Sequence, residues 1–572
     1  MGIRTTLSTL LLAIVLAIAL VVGVHVLVPE GRAPAGSTAE GAVPAAPGGA
    51  RPDRRPAALP ARPNVVVVMA DDMRHDDLRF APTLRRLVAR DGLTFRNAFS
   101  NYPLCCPARA SFLTGRLAHN HRVLSHERPW GYGSFDDSRT LATALRRQGY
   151  RTGFVGKYLN GYGVMDSRVS GGPSYRYVPR GWDEWHAAIE NPGRDGIHGG
   201  TYDYFDTPYN RNGRIDNRYR GRYQTDVIGD LSLDTLRRVS GRAPFFLNVN
   251  YVAPHHGAPA EPDDPRGVRD RDGRLLGLVT PARPGWVKGR FDRLVTRSPG
   301  RPRSGPAERD MSDKPPAIRS RPEPTAREWA AIREVARQRA ESIHVMDRQV
   351  GRLVRALKQR GEWSDTVLAF TSDNGYLLGE HRLRQGKVWP HDPSLRVPLV
   401  VTGPGFRSGG SRYDPVSTVD LAATVLDLAG ARMPWALDGT SRVPSLERDR
   451  GWTQPVPTEA VRTSRLRPKQ GFSGPRTTIG VRTSRYAYFR HRVGADELYD
   501  LARDPFQLRS VTGDPRYADE RRALRRVWDA TRNCRGGACR AELPALLRAT
   551  AAGNRTRGTS YQRRLQRVYG YR

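Results

Sequence analysis

The chain has 572 residues and a formal net charge of +36, from 93 Lys and Arg against 57 Asp and Glu. That length suits one large domain with a smaller one, and a 38% hydrophobic share with dispersed Gly and Pro excludes a fibrous or wholly disordered chain. Only six of the basic residues are Lys. The Arg excess reads either as composition bias or as affinity for polyanions, and with no RNA or DNA module in the chain, no nucleic-acid partner is expected.

In residues 1–30, Arg4 precedes an apolar run from Leu7 to Val28 that reads as a signal peptide or a membrane anchor. Either one puts the remainder outside the cytoplasm, secreted or membrane-anchored. Residues 31–62 are a Pro/Ala/Gly-rich linker. The Asn64–Ala70 run is nearly continuous and β-branched, the pattern of a strand buried on both faces. A short helix over Pro82–Arg90 carries Leu84, Leu87 and Val88 on one side. Next come a helix over Ser138–Gln148, a strand over Arg151–Val155, a helix over Asp226–Val239 and a strand over Phe245–Tyr251. A long helix is predicted over Thr325–Arg360, then strands over Thr366–Thr371 and Val397–Val401.

Alternating strands and helices predict an α/β fold with a mostly parallel sheet flanked by helices over 63–443. Within it, 258–324 is an irregular basic insertion, either disordered or a rim facing a ligand. Residues 444–572 are expected to form a smaller antiparallel α+β subdomain and tail. Its strands would cover Thr477–Val481 and Tyr486–Arg490, with helix from Ala518 onwards.

Four polar clusters fall just after strands: Asp71-Asp72, Lys157, His255-His256 and Asp373-Asn374. If the strands are parallel, all four face one rim, where open α/β sheets bind ligands. Asp71, Asp72, Asp373 and Asn374 form an all-oxygen set suited to a hard cation, Ca2+ before Mg2+. Lys157 and Lys387 each follow a glycine, and a compact ammonium meets an oxyanion as a point charge where Arg would impose a fork. Together these describe a site for cleaving a phosphate or sulfate ester. Cys534 and Cys539 flank a short flexible loop that could close a disulfide in an oxidising compartment. Cys105 and Cys106 are adjacent, a geometry that rarely bridges.

The run Tyr102-Pro103-Leu104-Cys105-Cys106-Pro107-Ala108-Arg109, continuing to Arg116, resembles the Cys-x-Pro-x-Arg signature of the type I sulfatases of the alkaline phosphatase superfamily. Asn64 to Asp72, Gly156-Lys157-Tyr158, Thr371 to Gly375, Leu395 to Pro398 and Glu497 to Leu501 match in the same order. The resemblance covers about residues 62–510 and makes 63–443 the catalytic domain. It implies that a formylglycine-generating enzyme, a partner in maturation, oxidises Cys105 to formylglycine (3-oxoalanine), whose hydrate attacks sulfur. It implies Ca2+ on Asp71, Asp72, Asp373 and Asn374, with the modified Cys105 completing the set. Arg109 would steady the nucleophile. Lys157 and Lys387 would grip the sulfate, and His255, with His256 in reserve, would protonate the leaving alcohol.

Two positions depart from the pattern: Ala108 stands where Ser is common, and Gly156-Lys157-Tyr158-Leu159-Asn160 lacks the His of Gly-Lys-Trp-His, leaving the base for sulfate release unassigned. The Gly-Lys-Tyr-Leu-Asn form, Cys-Cys-Pro and Ser312-Asp313-Lys314-Pro315 resemble the glucosamine-6-sulfatase branch. A sulfated amino sugar or glycosaminoglycan is the expected substrate, with the basic insertion holding further sulfates. A phosphoester or phosphonate hydrolase and a non-enzymatic polyanion-binding protein are the alternatives.

Overall fold

A computed structural model describes residues 59–572 apart from 304–307, 407–408, 461–475 and 571–572. The apolar run Leu7–Val28 and the linker as far as residue 58 lie outside the described residues. Among the described residues, no helix is long and apolar enough to cross a membrane.

The large sheet has ten strands. In chain order they are β1 (Asn64–Ala70), β2 (Gly92–Phe99), β3 (Arg151–Lys157), β4 (Glu184–Ala188), β5 (Tyr209–Arg211), β6 (Arg214–Asp216), β7 (Phe245–Asn250), β8 (Thr366–Ser372), β9 (Leu399–Thr402) and β10 (Gly410–Ser417). Their order across the sheet is β10-β2-β9-β8-β1-β7-β3-β4-β5-β6. The central run β8-β1-β7-β3-β4 is parallel throughout, and antiparallel pairing is confined to β9 and to the β5–β6 edge. The expected mostly parallel α/β sheet is therefore present.

β1 shows why the sheet is central. Val65, Val66, Val67 and Val68 are at most 1% exposed, and alternate residues enter opposite cores, Val66 and Val68 on one face, Val65, Val67 and Met69 on the other. Each buried valine contributes about 1.5–3 kcal/mol of apolar transfer, so this strand cannot sit at an edge. The Ala326–Gln359 helix covers one face and starts with a reciprocal cap: Glu328 N donates to Thr325 Oγ1 at 3.2 Å, and Thr325 N to Glu328 Oε2 at 2.6 Å.

Several elements were not expected from the sequence, and three of them show why. β10 contains Pro415 and pairs only with β2, with a register shift between Arg412 and Pro415, as an edge position permits. β2 holds Gly92 and Asn97, which obscure its alternation. The Cys105–Thr114 helix is buried at all ten positions, so it has no amphipathic stripe to read. The strand expected over Val397–Val401 begins at Leu399 and runs antiparallel to β8.

A second sheet, β11 (Val456–Ala460), β12 (Thr478–Arg482), β13 (Tyr486–His491) and β14 (Asp496–Asp500), is antiparallel throughout. Helices Ala518–Thr531 and Ala551–Tyr569 come after it in the chain. Cys534 and Cys539 are joined in a disulfide, while Cys105 and Cys106 are free and buried.

Candidate active site

Register alone gathers the site. β1 pairs with β8 and β7, and β7 with β3, so that Ala70 lies beside Ser372, Met69 beside Asn250, and Gly156 beside Asn250. The next residues along each strand, Asp71, Asp373 and Lys157, emerge at one level of the carboxyl edge. Gly156 is required for this closeness: its φ is +94°, and a Cβ there would lie 1.9 Å from the Asn250 carbonyl oxygen. The Cys105–Thr114 helix starts at Cys105 itself, so the thiol sits at the positive end of the helix dipole.

Asp71, Asp72, Asp373 and Asn374 are all 0% exposed. Asp72 takes a left-handed backbone, φ +68°, that turns it back under Asp373, and its N–H donates to Asp373 Oδ1 at 3.2 Å. Asn374 Nδ2 donates to Asp72 Oδ1 at 2.6 Å. Lys157 pairs with Asp71 Oδ2, and Lys387 with Asp72 Oδ1 at 2.5 Å. Arg109 Nε donates to Asp373 Oδ2 at 2.7 Å, and its Nη1 is spent on Lys157 O and Asn250 Oδ1.

One oxygen on each of three ligands is left over. Asp71 Oδ1, Asp72 Oδ2 and Asn374 Oδ1 are buried without a hydrogen-bond partner. Ligand atoms of Asp71, Cys105 and Asp373 lie within 4.8 Å of one another, as do those of Asp71, Asp72 and His255. Unpaired buried oxygens are costly unless a cation meets them, and an all-oxygen set of carboxylates and an amide fits a hard divalent ion.

Electrostatics point the same way. Burial raises Asp71, but Lys157, His255, Lys387 and Arg109 outweigh it and hold the carboxyl well below the usual range. Asp373 is pushed up to about 6 by burial and by Asp71. Burial disfavours the ammonium of Lys157, yet Asp71 and Cys105 keep it above the ordinary lysine range; Asp72 does the same for Lys387.

Cys105 is ringed by polar groups. Lys387 Nζ donates to its sulfur at 3.4 Å, the thiol reaches Asn160 Oδ1 at 3.2 Å, and His126 Nε2 lies 3.3 Å away. Burial pushes the thiol's pKa up, against Lys157 and Lys387. Cys106 instead joins the hydrophobic core. His255 Nε2 is 3.8 Å from Asp72 Oδ2, its Nδ1 donates to His256 O at 2.7 Å, and the two imidazoles stack. Burial, with Lys387 and Lys157, holds His255 well below the ordinary imidazole range.

Every residue predicted for the site therefore converges here, while Lys314 of Ser312–Pro315 does not. It is buried elsewhere, paired with Glu308 and Asp313 at 2.8 Å each. Three neighbours were not predicted. His126 comes from a loop with no periodicity to read. Asn160 closes the Gly-Lys-Tyr-Leu-Asn run but had no role assigned. Tyr202 accepts a hydrogen bond from Asn160 Nδ2 and lies under Lys157 Nζ, 4.9 Å from the ring centroid.

The family model described as Sulfatase matches residues 63–431, and one described as N-sulphoglucosamine sulphohydrolase, C-terminal, matches 379–533. The chain belongs to the sulfatase family, within the alkaline phosphatase superfamily. It is 32% identical over 401 residues to an arylsulfatase of Volvox carteri, an alignment covering 67% of this chain and 58% of that one. It is 28% identical over 491 residues to the N-acetylglucosamine-6-sulfatase of Capra hircus, covering 79% and 80%. The chain spans only 31% of the length of an extracellular sulfatase of Drosophila melanogaster. Among solved structures, one in complex with its substrate D-glucosamine-2-N,6-O-disulfate superposes with TM-score 0.59 at 20% identity, covering 82% of this chain and 97% of that one. A phosphonate monoester hydrolase from Silicibacter pomeroyi superposes with TM-score 0.55 at 25% identity, covering 81% and 94%.

Proposed function

We propose that this protein hydrolyses sulfate esters of amino sugars outside the cytoplasm, with a formylglycine made from Cys105 as nucleophile. The observation that carries the reading is the trio of unpaired buried oxygens on Asp71, Asp72 and Asn374 beside a buried Cys at a helix N-terminus. Ca2+ held by Asp71, Asp72, Asp373 and Asn374 would supply Lewis-acid polarisation of the sulfate and orientation of the nucleophile. A hydrated formylglycine would supply one hydroxyl to attack sulfur and a second to expel sulfate, so no stable ester is left on the enzyme.

The chain's own residues divide the remaining work. Arg109 is anchored on Asp373 and fixes the first turn of the nucleophile's helix. Lys157 and Lys387 neutralise the sulfate oxygens. His255 protonates the leaving alcohol; an arriving anion beside it raises its affinity for a proton. His126, at the Cys105 sulfur, takes the proton that the absent His after Lys157 would have taken. Replacing it should lower kcat about 10–100-fold with little change in KM. An unchanged kcat for His126→Ala removes that assignment.

The decisive experiment is mass spectrometry of the Cys105 peptide from protein purified from its native host, with kinetics on paired sulfate and phosphonate esters. An unmodified thiol would sink the formylglycine reading. A higher kcat/KM for the phosphonate would favour the second reading, which the Silicibacter pomeroyi neighbour supports.

A further inference from the structure

Beside the catalytic centre lies a cavity of about 760 Å3, a size that admits one or two sugar rings. Tyr202 and His256 form its inner wall. Tyr202 is also the partition of the catalytic centre, with its ring 4.7 Å from that of His255. A leaving alcohol protonated by His255 would thus extend into this cavity. The irregular insertion supplies the outer wall through Asp264, Arg266 and Leu278–Thr280, so part of it is a rim rather than a detached loop.

The charge of this wall runs against that of the chain. With 93 basic and 57 acidic residues overall, a random wall would be net positive. Here the charged groups are Glu190, Asp203 and Asp264 against the single cation Arg266. Asp264 is already engaged: it accepts Thr280 Oγ1 at 2.8 Å and Glu261 N at 2.7 Å, with Arg266 at 3.7 Å. Asp203 accepts only its own loop's Phe205 N–H, at 3.1 Å, and makes no ion pair among the described residues. Glu190 is half-buried, and its carboxyl meets the Gly161 backbone N–H. Burial pushes that carboxyl's proton affinity up despite Lys157, the state of an acid short of a cation. The remaining lining mixes apolar residues with Asn191, Thr201 and Thr280, and Val164 and Val279 stand 45% and 39% exposed.

We propose that this cavity selects a leaving alcohol bearing an ammonium group, through Glu190 and Asp203, and rejects one bearing a second sulfate. The inference rests on the sulfatase reading and narrows it to small, free-amine amino-sugar sulfates. It replaces the expectation that the insertion would hold further sulfates. The discrimination is partly repulsive: a second sulfate beside two carboxylates that lack ion pairs among the described residues meets like charge in a partly solvated recess.

The test uses host-purified enzyme and three 6-sulfated glucosamines that differ only at nitrogen: free amine, N-acetyl and N-sulfo, at a pH where the amine is protonated. The expected order of kcat/KM is free amine, then N-acetyl, then N-sulfo, with about tenfold per step, the scale of one charge pair in a partly solvated site. In Glu190→Gln and Asp203→Asn enzymes the free-amine to N-acetyl ratio should fall by about the same factor. This ratio is internal to each variant and is insensitive to the amount folded. Preference for the N-sulfo sugar, a flat order, or a ratio untouched by both substitutions overturns the proposal. If 4-nitrophenyl sulfate is hydrolysed while the order is flat, only this inference falls. If no sulfate is hydrolysed while a phosphonate ester is, the sulfatase reading falls with it.

Discussion

The catalytic centre and the junction beside the C-terminal sheet both bury charge, but they balance it differently. At the junction, Glu308 receives Lys314 at 2.8 Å and His381 at 2.9 Å. Glu497 receives His491 Nε2 at 3.1 Å and Tyr499 OH at 3.0 Å, with His391 at 3.5 Å. Both carboxylates are met by cationic or donor side chains. At the catalytic centre, lysines and an arginine also pair with carboxylates, yet one oxygen on each of Asp71, Asp72 and Asn374 has no hydrogen-bond partner, whereas at the junction the unpartnered atoms include imidazole nitrogens of His381 and His391. Burial of charge therefore does not mark a site. Unpartnered oxygens of carboxylates and an amide, gathered beside a buried Cys at a helix N-terminus, do.

The comparison predicts opposite phenotypes. Cys105→Ala should abolish turnover, by at least about 10³-fold, while unfolding free energy changes by no more than about 1–2 kcal/mol. Residual turnover near the wild-type level would end the assignment of Cys105. Chelation should also remove most activity, and added Ca2+ should raise the wild-type midpoint of thermal unfolding but not that of Asp72→Asn. Equal shifts in the two proteins would place the ion elsewhere.

At the junction the order is reversed. Glu497→Gln keeps the shape but leaves His391, His491 and Tyr499 facing an amide. It should cost about 2–4 kcal/mol of stability and leave kcat/KM per folded molecule unchanged. Lost turnover in fully folded Glu497→Gln would erase the distinction between the two clusters.

How far this contrast could be read in advance differs between its halves. The catalytic half was legible because strands such as Val65–Val68 announce themselves by composition, and parallel strands place the residues beyond their carboxyl ends on one rim. Asp71, Lys157, His255 and Asp373 needed only that topology. His126 was not legible: it lies on a loop and reaches Cys105 through tertiary packing that no local pattern encodes. The junction was not legible either. His381, His391, His491, Glu308 and Glu497 come from separate segments, and no single segment of the sequence marks them as partners. Ser312-Asp313-Lys314-Pro315 was visible as a motif, but only the fold shows that Lys314 serves this junction.

Acid gives the finest test of that half. Burial pushes His381 and His391 each down to about 4, while a histidine in the unfolded chain titrates near 6.5. Between those values only the unfolded chain takes up the proton, so stability falls as pH drops from about 6.5 to 4. Glu308 works in the opposite sense. Burial pushes it up to about 7, against Lys314, so it favours the fold as pH falls from about 7 to 4.5 and offsets one histidine. Glu497, held well below its usual range by His391 and His491 despite burial, adds its own loss below about 4.5. The junction's balance is a loss on the order of 2–3 kcal/mol between pH 6.5 and 4. Other buried histidines add to the wild-type curve, so the informative quantity is the difference between wild type and His391→Gln. Removing that imidazole should make the acid limb of the stability curve shallower. Parallel curves would show that His391 is not held neutral by the fold, and that the junction is not the acid-sensitive counterpart of the catalytic centre.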